Sequence, residues 1–261
     1  MKYLTPKKAL GQHFLNDKAI AAKIVSSLRA DGINHVIEVG PGMGALTPFL
    51  LEEQRFDTRF VEVDPDAAAY LEAQYPEIKD KLILADFLRY PLEQYFGQHP
   101  IAVIGNFPYN ISSQIFFKIL DHRSQVNEVV GMLQKEVAER IAAPPGSKTY
   151  GITSVLLQAY YDIEYLFTVH EHVFTPPPKV KSGVIRLVRN NIETLPCDEK
   201  LFFRVVKTAF NQRRKMLSNS LKSMLPSGYA ANPILCKRPE QLSVQEFIGL
   251  TQFVEKGGIR N

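Results

Sequence analysis

A strand that runs directly into a glycine-rich turn and then a helix constrains this chain more than anything else in it. Val36-Ile37-Glu38-Val39 has the apolar character of a buried strand, Gly40-Pro41-Gly42-Met43-Gly44 follows, and residues 45–54 read as a helix. Glycines at such a turn let the backbone come close to a nucleotide-like ligand. Short apolar runs recur at 59–63, 81–86 and 101–105, and helical stretches at 66–74, 112–120, 136–142 and 152–161. Strands and helices in alternation imply an α/β fold with a mostly parallel sheet covered on both faces. Beyond residue 161 the alternation stops. Runs at 163–169 and 183–188 flank a loop stiffened by Pro176-Pro177-Pro178 and are expected to pair as an antiparallel hairpin at the sheet edge.

The strand ends carry the chemistry. Gly40, Gly42 and Ala45 fit the dinucleotide spacing G-x-G-x-x-G/A, which does not separate a nicotinamide cofactor from S-adenosylmethionine. Glu62 ends the next strand about twenty residues further on, where a carboxylate binds ribose hydroxyls. Asp86 ends the third and can accept a hydrogen bond from an adenine amino group. Asp64 and Asp66 read instead as helix-capping acids. The fourth strand ends in Asn106-Phe107-Pro108-Tyr109. An exocyclic amine is a poor nucleophile because its lone pair is delocalised into the ring. Two acceptors, the Asn106 side-chain oxygen and a backbone carbonyl held by Pro108, favour a pyramidal nitrogen with its lone pair freed. Tyr109 then stacks on the base. Taken alone, the tetrapeptide is equally compatible with an ordinary strand-to-helix turn. No constellation for handling a hydride is evident.

At 261 residues, 45% of them hydrophobic, the chain is long enough for one larger domain and a small one. Cys197 and Cys236 show neither metal nor redox spacing, and Pro6, Lys7 and Lys8 interrupt the apolar stretch that a signal peptide needs. A cytoplasmic protein without metal or membrane association is expected. Charge is uneven. Residues 181–261 carry 14 Lys and Arg against 6 Asp and Glu, a net of +8, whereas residues 1–180 have a net of −4. A basic C-terminal third suits phosphate recognition, although a solvated basic surface has the same counts. Within it Phe203, Val206, Phe210, Leu217, Leu221 and Met224 recur at helical spacing, with Arg214 on the same stripe and Arg213 and Lys215 pointing elsewhere.

The chain resembles the KsgA (RsmA) family of small-subunit rRNA adenine N6,N6-dimethyltransferases, relatives of the Erm enzymes. The resemblance covers almost the whole chain and rests on Leu10-Gly11-Gln12-His13-Phe14-Leu15, Glu38-Val39-Gly40-Pro41-Gly42, Gly105-Asn106-Phe107-Pro108-Tyr109-Asn110-Ile111-Ser112, Met132-Leu133-Gln134-Lys135-Glu136, Phe174-Thr175-Pro176-Pro177-Pro178-Lys179-Val180 and Ala209-Phe210-Asn211-Gln212-Arg213-Arg214-Lys215. It implies a Rossmann-like methyltransferase fold with a seven-stranded, mostly parallel sheet over residues 1–190 and a small helical RNA-recognition domain over 191–261. It further implies an S-adenosylmethionine site at His13, Leu15, Gly40, Glu62, Asp86 and Asn106, and S-adenosylhomocysteine as product. Asn106, Pro108, Tyr109 and Phe174 would be catalytic, with Phe174 as an exposed platform opposite Tyr109 rather than a packing residue, and Arg213, Arg214 and Lys215 would contact RNA. The substrate implied is two neighbouring adenines near the 3′ end of small-subunit rRNA in a pre-30S particle, met by a monomer. Two positions depart from the family pattern, which often has Asn at His13 and Leu at Phe107. The alternatives are an Erm-type enzyme acting on large-subunit rRNA and a ribosome-assembly factor with dispensable catalysis.

Overall fold

The structure is a computed structural model that describes residues 5–226 and 232–257. In chain order it contains β1 (Phe14–Leu15), α1 (Lys18–Ser26), β2 (His35–Val39), α2 (Thr47–Glu52), β3 (Asp57–Glu62), α3 (Pro65–Gln74), β4 (Leu82–Leu84), α4 (Leu92–Phe96), β5 (Ile101–Asn106), α5 (Ser112–Asp121) and β6 (Val126–Gln134). These are followed by α6 (Lys135–Ala142), α7 (Ile152–Gln158), β7 (Tyr161–Val169), β8 (Phe174–Thr175), β9 (Ser182–Arg189), α8 (Glu199–Asn211), α9 (Leu217–Ser220) and α10 (Val244–Lys256). By compactness the chain divides in two. Residues up to Ala138, with Asp162–Arg189, form one unit, and Glu139–Tyr161, with the chain from Asn190 onward, forms the other. The second unit thus takes in α7 as well as the region expected as a C-terminal domain.

The first unit is built on a seven-stranded sheet of order β4-β3-β2-β5-β6-β9-β7. β2 runs parallel to β3 and β5, β3 to β4, and β5 to β6, whereas β9 is antiparallel to β6. The fold is therefore the Rossmann-like one expected. The inner strands are buried along their length, as near-continuous Val, Ile and Ala runs require when helices cover both faces. One face packs Val36, Ala102, Ile104, Val130 and Met132 against Ile24, Val25 and Leu28 from α1 and its C-terminal end. The chain builds outward from β2 to β4 and then returns to add β5 on the other side of β2. A crevice opens outside the carboxyl ends at such a reversal. The glycine turn after β2 and the tetrapeptide at the end of β5 both sit there. β6 was not singled out in the sequence, although its end carries Gln134, and neither were α1 and α4.

In the second unit α8 buries Leu201, Phe202, Val205, Val206 and Ala209, and Asp198 caps it by accepting from the Leu201 amide at 2.7 Å. Phe210 stacks on Phe247 of α10 and meets Tyr150 edge-on. The single long helix implied by the spacing from Phe203 to Met224 does not form. α8 stops at Asn211, residues 212–215 make a turn closed by a 2.8 Å bond from the Lys215 amide to the Gln212 carbonyl, and α9 starts afresh. Arg214 is consequently exposed in a turn and not on an apolar stripe. Among the described residues, no helix is long and apolar enough to cross a membrane.

Candidate active site

A cavity open to solvent lies at the reversal point, entirely within the first unit. Its floor is the turn after β2, where Gly40 and Gly42 have φ of +66° and +59°. Side chains rarely adopt that region. A Cβ on Gly42 would also stand 3.1 Å from the Phe14 ring. One wall is the end of β3, another the end of β4 with Asp86 and the buried Phe87, and a third the tetrapeptide after β5. The cover is the arm 10–15, which ends in β1 and pairs with β8. Gln12 and Lys7 fasten the arm to Asp64, at 3.0 Å and 2.6 Å, and Lys7 also reaches Asp66 at 2.6 Å. Asp64 caps α3, as expected, by accepting from the Asp66 amide at 3.0 Å.

His13, Leu15, Gly40, Glu62, Asp86 and Asn106 all line this cavity, as do Pro108 and Tyr109. Glu62 is almost fully buried. Its Oε1 accepts from the Val63 and Asp64 amides and its Oε2 from the Gly42 amide, each at 2.9 Å. A carboxylate oxygen accepts two hydrogen bonds, so Oε2 retains one acceptor site. Burial pushes the Glu62 carboxyl up, against the three amides that favour its charged form. Asp86 is partly exposed and accepts from the Leu88 amide at 2.9 Å.

The Asn106 amide nitrogen donates to the His13 carbonyl at 2.9 Å. Because a carbonyl only accepts, this bond fixes which way the amide is turned and leaves Oδ1 as a free acceptor. Tyr109 is braced twice: its hydroxyl lies 2.6 Å from Ser182 Oγ, and its ring stacks with His13 at 5.2 Å. His13 Nδ1 in turn donates to the Pro176 carbonyl at 2.8 Å. His13 therefore joins the site through its ring contacts and its backbone oxygen at once.

Phe174 is placed otherwise than expected. It is 2% exposed, pairs with Leu15 across β1 and β8, and belongs to the apolar core with Val169 and Val184. In a two-residue strand one side chain faces in and the next faces out. Phe174 takes the inward position and Thr175 the outward one, so Phe174 is a packing residue here and not an exposed platform.

Arg213, Arg214 and Lys215 belong to the second unit. Arg213 is engaged within it, donating to the Ser147 carbonyl at 3.3 Å and lying 4.0 Å from Glu240. Arg214 and Lys215 are exposed.

Sequence reasoning missed Glu38 and Ser182. Glu38 lines the cavity while fully buried, accepts from the Thr47 hydroxyl at 2.8 Å, and has its carboxyl pushed up to about 8 by burial, with neighbouring Glu62 adding to the effect. The signal was available: a carboxylate inside an apolar strand needs a partner. Ser182 gave no such signal, since only the pairing of Gln134 with Ser182 between β6 and β9 brings it under Tyr109.

A family model described as ribosomal RNA adenine dimethylase matches residues 4–242. A protein of Cytophaga hutchinsonii named ribosomal RNA small subunit methyltransferase A is 58% identical, with 97% of this chain and 99% of that one aligned. The Flavobacterium johnsoniae protein of the same name is 55% identical over the full length of both. Among solved structures, a dimethyladenosine transferase from Plasmodium falciparum has the same fold, with a TM-score of 0.78 at 22% identity, covering 95% of this chain and 99% of the other.

Proposed function

The chain belongs to the ribosomal RNA adenine dimethylase family, and from that membership we propose that it dimethylates the N6 amino groups of two neighbouring adenines near the 3′ end of small-subunit rRNA, using S-adenosylmethionine, during late small-subunit assembly. Two relatives more than half identical to it carry a small-subunit methyltransferase name, which favours this reading over an Erm-type one.

The residues of the cavity fit the cofactor. The positive-φ glycine turn leaves room for a ligand against the backbone, Glu62 Oε2 has one acceptor site left for a ribose hydroxyl, and Asp86 beside Phe87 suits an adenine amino group and ring. When bound, S-adenosylmethionine supplies a methyl group on an electrophilic sulfonium. The chain supplies position and polarisation. Asn106 Oδ1, oriented by the His13 carbonyl, accepts from one hydrogen of the target amine, and the carbonyl held by Pro108 accepts from the other. The amine lone pair is thereby directed away from the ring. Tyr109, held at its hydroxyl by Ser182, provides the stacking face. No residue is needed as a general base, because the nitrogen becomes cationic on methylation and then sheds its proton. In-line transfer of this kind gains mainly from orientation. Arg214 and Lys215 are free to meet phosphate oxygens.

The observation that carries the proposal is the bond from Asn106 Nδ2 to the His13 carbonyl, which leaves Oδ1 as the acceptor of a residue that lines the cavity. Methyl-labelled S-adenosylmethionine, incubated with the protein and undermethylated small subunits, should place label in N6,N6-dimethyladenosine of the small-subunit rRNA. Asn106→Ala should lower the single-turnover rate by about a hundredfold or more while leaving RNA binding largely intact. Label in large-subunit rRNA instead, or near-normal turnover by the variant, contradicts the reading.

A further inference from the structure

A second cavity adjoins the first and shares Gly11, Gln12, His13 and Tyr109 with it. Its remaining wall is Pro6, the proline loop 175–180 and Gln134, the last residue of β6. A base whose amine reaches Asn106 with its ring against Tyr109 must extend into this space. The ring nitrogens of adenine, N1, N3 and N7, only accept hydrogen bonds, so a wall that reads them needs donors.

Several side-chain donors of that wall are already engaged. Gln12 donates to Asp64, the Tyr109 hydroxyl is paired with Ser182, and His13 Nδ1 donates to Pro176. The Thr175 hydroxyl accepts from Asn16 at 2.7 Å and keeps its own hydrogen, but it stands exposed on the loop. With Nδ1 protonated, His13 Nε2 is an acceptor. The side chains of Gln134 and Lys179 have no hydrogen-bond partner among the described residues. Lys179 is exposed on the loop, and a hydrated ammonium there suits a phosphate. Gln134 is half-buried and rigidly placed: its strand neighbours β5, with Met132 opposite Asn106, and its own backbone is paired with Ser182. Glutamine amides are a standard partner for adenine ring nitrogens.

We propose that Gln134 determines specificity by donating to a ring nitrogen of the target adenine and that it holds the base for the second methyl transfer. The inference rests on the reading above that the cavity methylates adenine. Its second half follows from counting hydrogens. The unmodified amine offers two hydrogens to Asn106 Oδ1 and the carbonyl, and the monomethylated amine only one. Ring nitrogens are unchanged between rounds, so the Gln134 contact carries more of the positioning in the second round than in the first.

The test compares wild type, Gln134→Ala and Gln134→Glu on unmethylated small subunits, with N6-methyl- and N6,N6-dimethyladenosine quantified by mass during the time course. Gln134→Glu keeps the size and loses the donor. Both variants should accumulate the monomethylated base, with a monomethyl-to-dimethyl ratio raised about tenfold, and S-adenosylmethionine affinity by calorimetry should be unchanged, which also reports that they fold. A second arm uses particles with 1-deaza- or 7-deazaadenosine at the target positions. One of these should slow wild type about tenfold and slow Gln134→Ala no further. Equal ratios in all three proteins, or additive losses with every analogue, overturn the role of Gln134 while wild-type activity keeps the reading of the cavity intact. A wild type that makes no dimethyladenosine overturns both.

Discussion

Replacing Gly131 with Ala should damage the active site from behind. Gly131 on β6 lies opposite Gly105 on β5, and the fully buried Phe107 ring rests on the flat formed by this pair. A Cβ at Gly131 would stand 2.5 Å from Phe107 Cε2 and 2.9 Å from Cδ2. Carbon atoms settle about 3.5–4.0 Å apart, so the ring must retreat by about 1 Å. It has little room: the ring is fully buried, and Phe116 packs against it at 5.8 Å between centroids. Overpacking of this kind costs about 1–3 kcal/mol. The ring sits between Asn106 and Pro108 in the chain, so the shift is passed to the groups that act on the amine, and a misplacement of about 1 Å costs roughly a hundredfold in rate. Urea unfolding and single-turnover methyl transfer measure the two effects. Phe107→Leu added to Gly131→Ala should recover much of both, because the shorter side chain vacates the contested space. Normal stability and turnover in Gly131→Ala would refute the idea that packing beneath Phe107 sets the position of Asn106.

Glu62→Ala should weaken S-adenosylmethionine binding by a few kcal/mol at most and also lower stability by about 1–3 kcal/mol, because three backbone amides lose their acceptor; unchanged affinity by calorimetry in the folded variant contradicts the assignment. Neutralising Arg214 and Lys215 to Gln should reduce the log–log salt slope of small-subunit binding by about one unit for each phosphate that is no longer neutralised, with Arg213 kept because it pairs within its own unit. An unchanged slope would mean that these are only solvated charges. Glu38 has a folded pKa of about 8, above its ordinary value of 4.5, so the folded state holds a proton that the unfolded chain has lost between those limits. Its contribution to stability is complete below about pH 4.5 and falls as pH rises towards 8, by at most about 1.4 kcal/mol per unit. Glu38→Gln should remove that slope from urea unfolding curves taken across the range, and identical slopes contradict it.

The parts of the site that could be read from the sequence are those whose chemistry lies next to a strand end. Gly40, Glu62, Asp86 and Asn106 each follow or finish a short apolar run, and parallel pairing carries all four to one edge. Features that depend on contacts distant in the chain were not legible. Phe174 is inward because β8 pairs with β1, about 160 residues away in sequence, and a two-residue strand is too short to display its own period. The stripe from Phe203 to Met224 keeps helical spacing across the turn at 212–215, which contains neither Gly nor Pro to mark the stop. That turn is what exposes Arg214 and leaves Arg213 to bond Ser147. β6 escaped notice even though its carboxyl end bears Gln134, and the expected seven-stranded sheet came from family resemblance and not from counting strands. The grouping of 139–161 with the C-terminal helices is a matter of tertiary packing. The family resemblance implied a boundary near 190 alone.

The central claim is that this chain dimethylates adenines of small-subunit rRNA through Asn106, and mass mapping of methylated adenines in both ribosomal RNAs tests it most directly. In a strain lacking the protein, two adjacent N6,N6-dimethyladenosines near the 3′ end of the small-subunit rRNA should be replaced by unmodified adenines, with the large-subunit rRNA unaltered. The wild-type chain should restore both and Asn106→Ala neither. Unchanged small-subunit methylation in the deletion strain, or loss of a methyl group from the large-subunit rRNA in its place, would contradict the account.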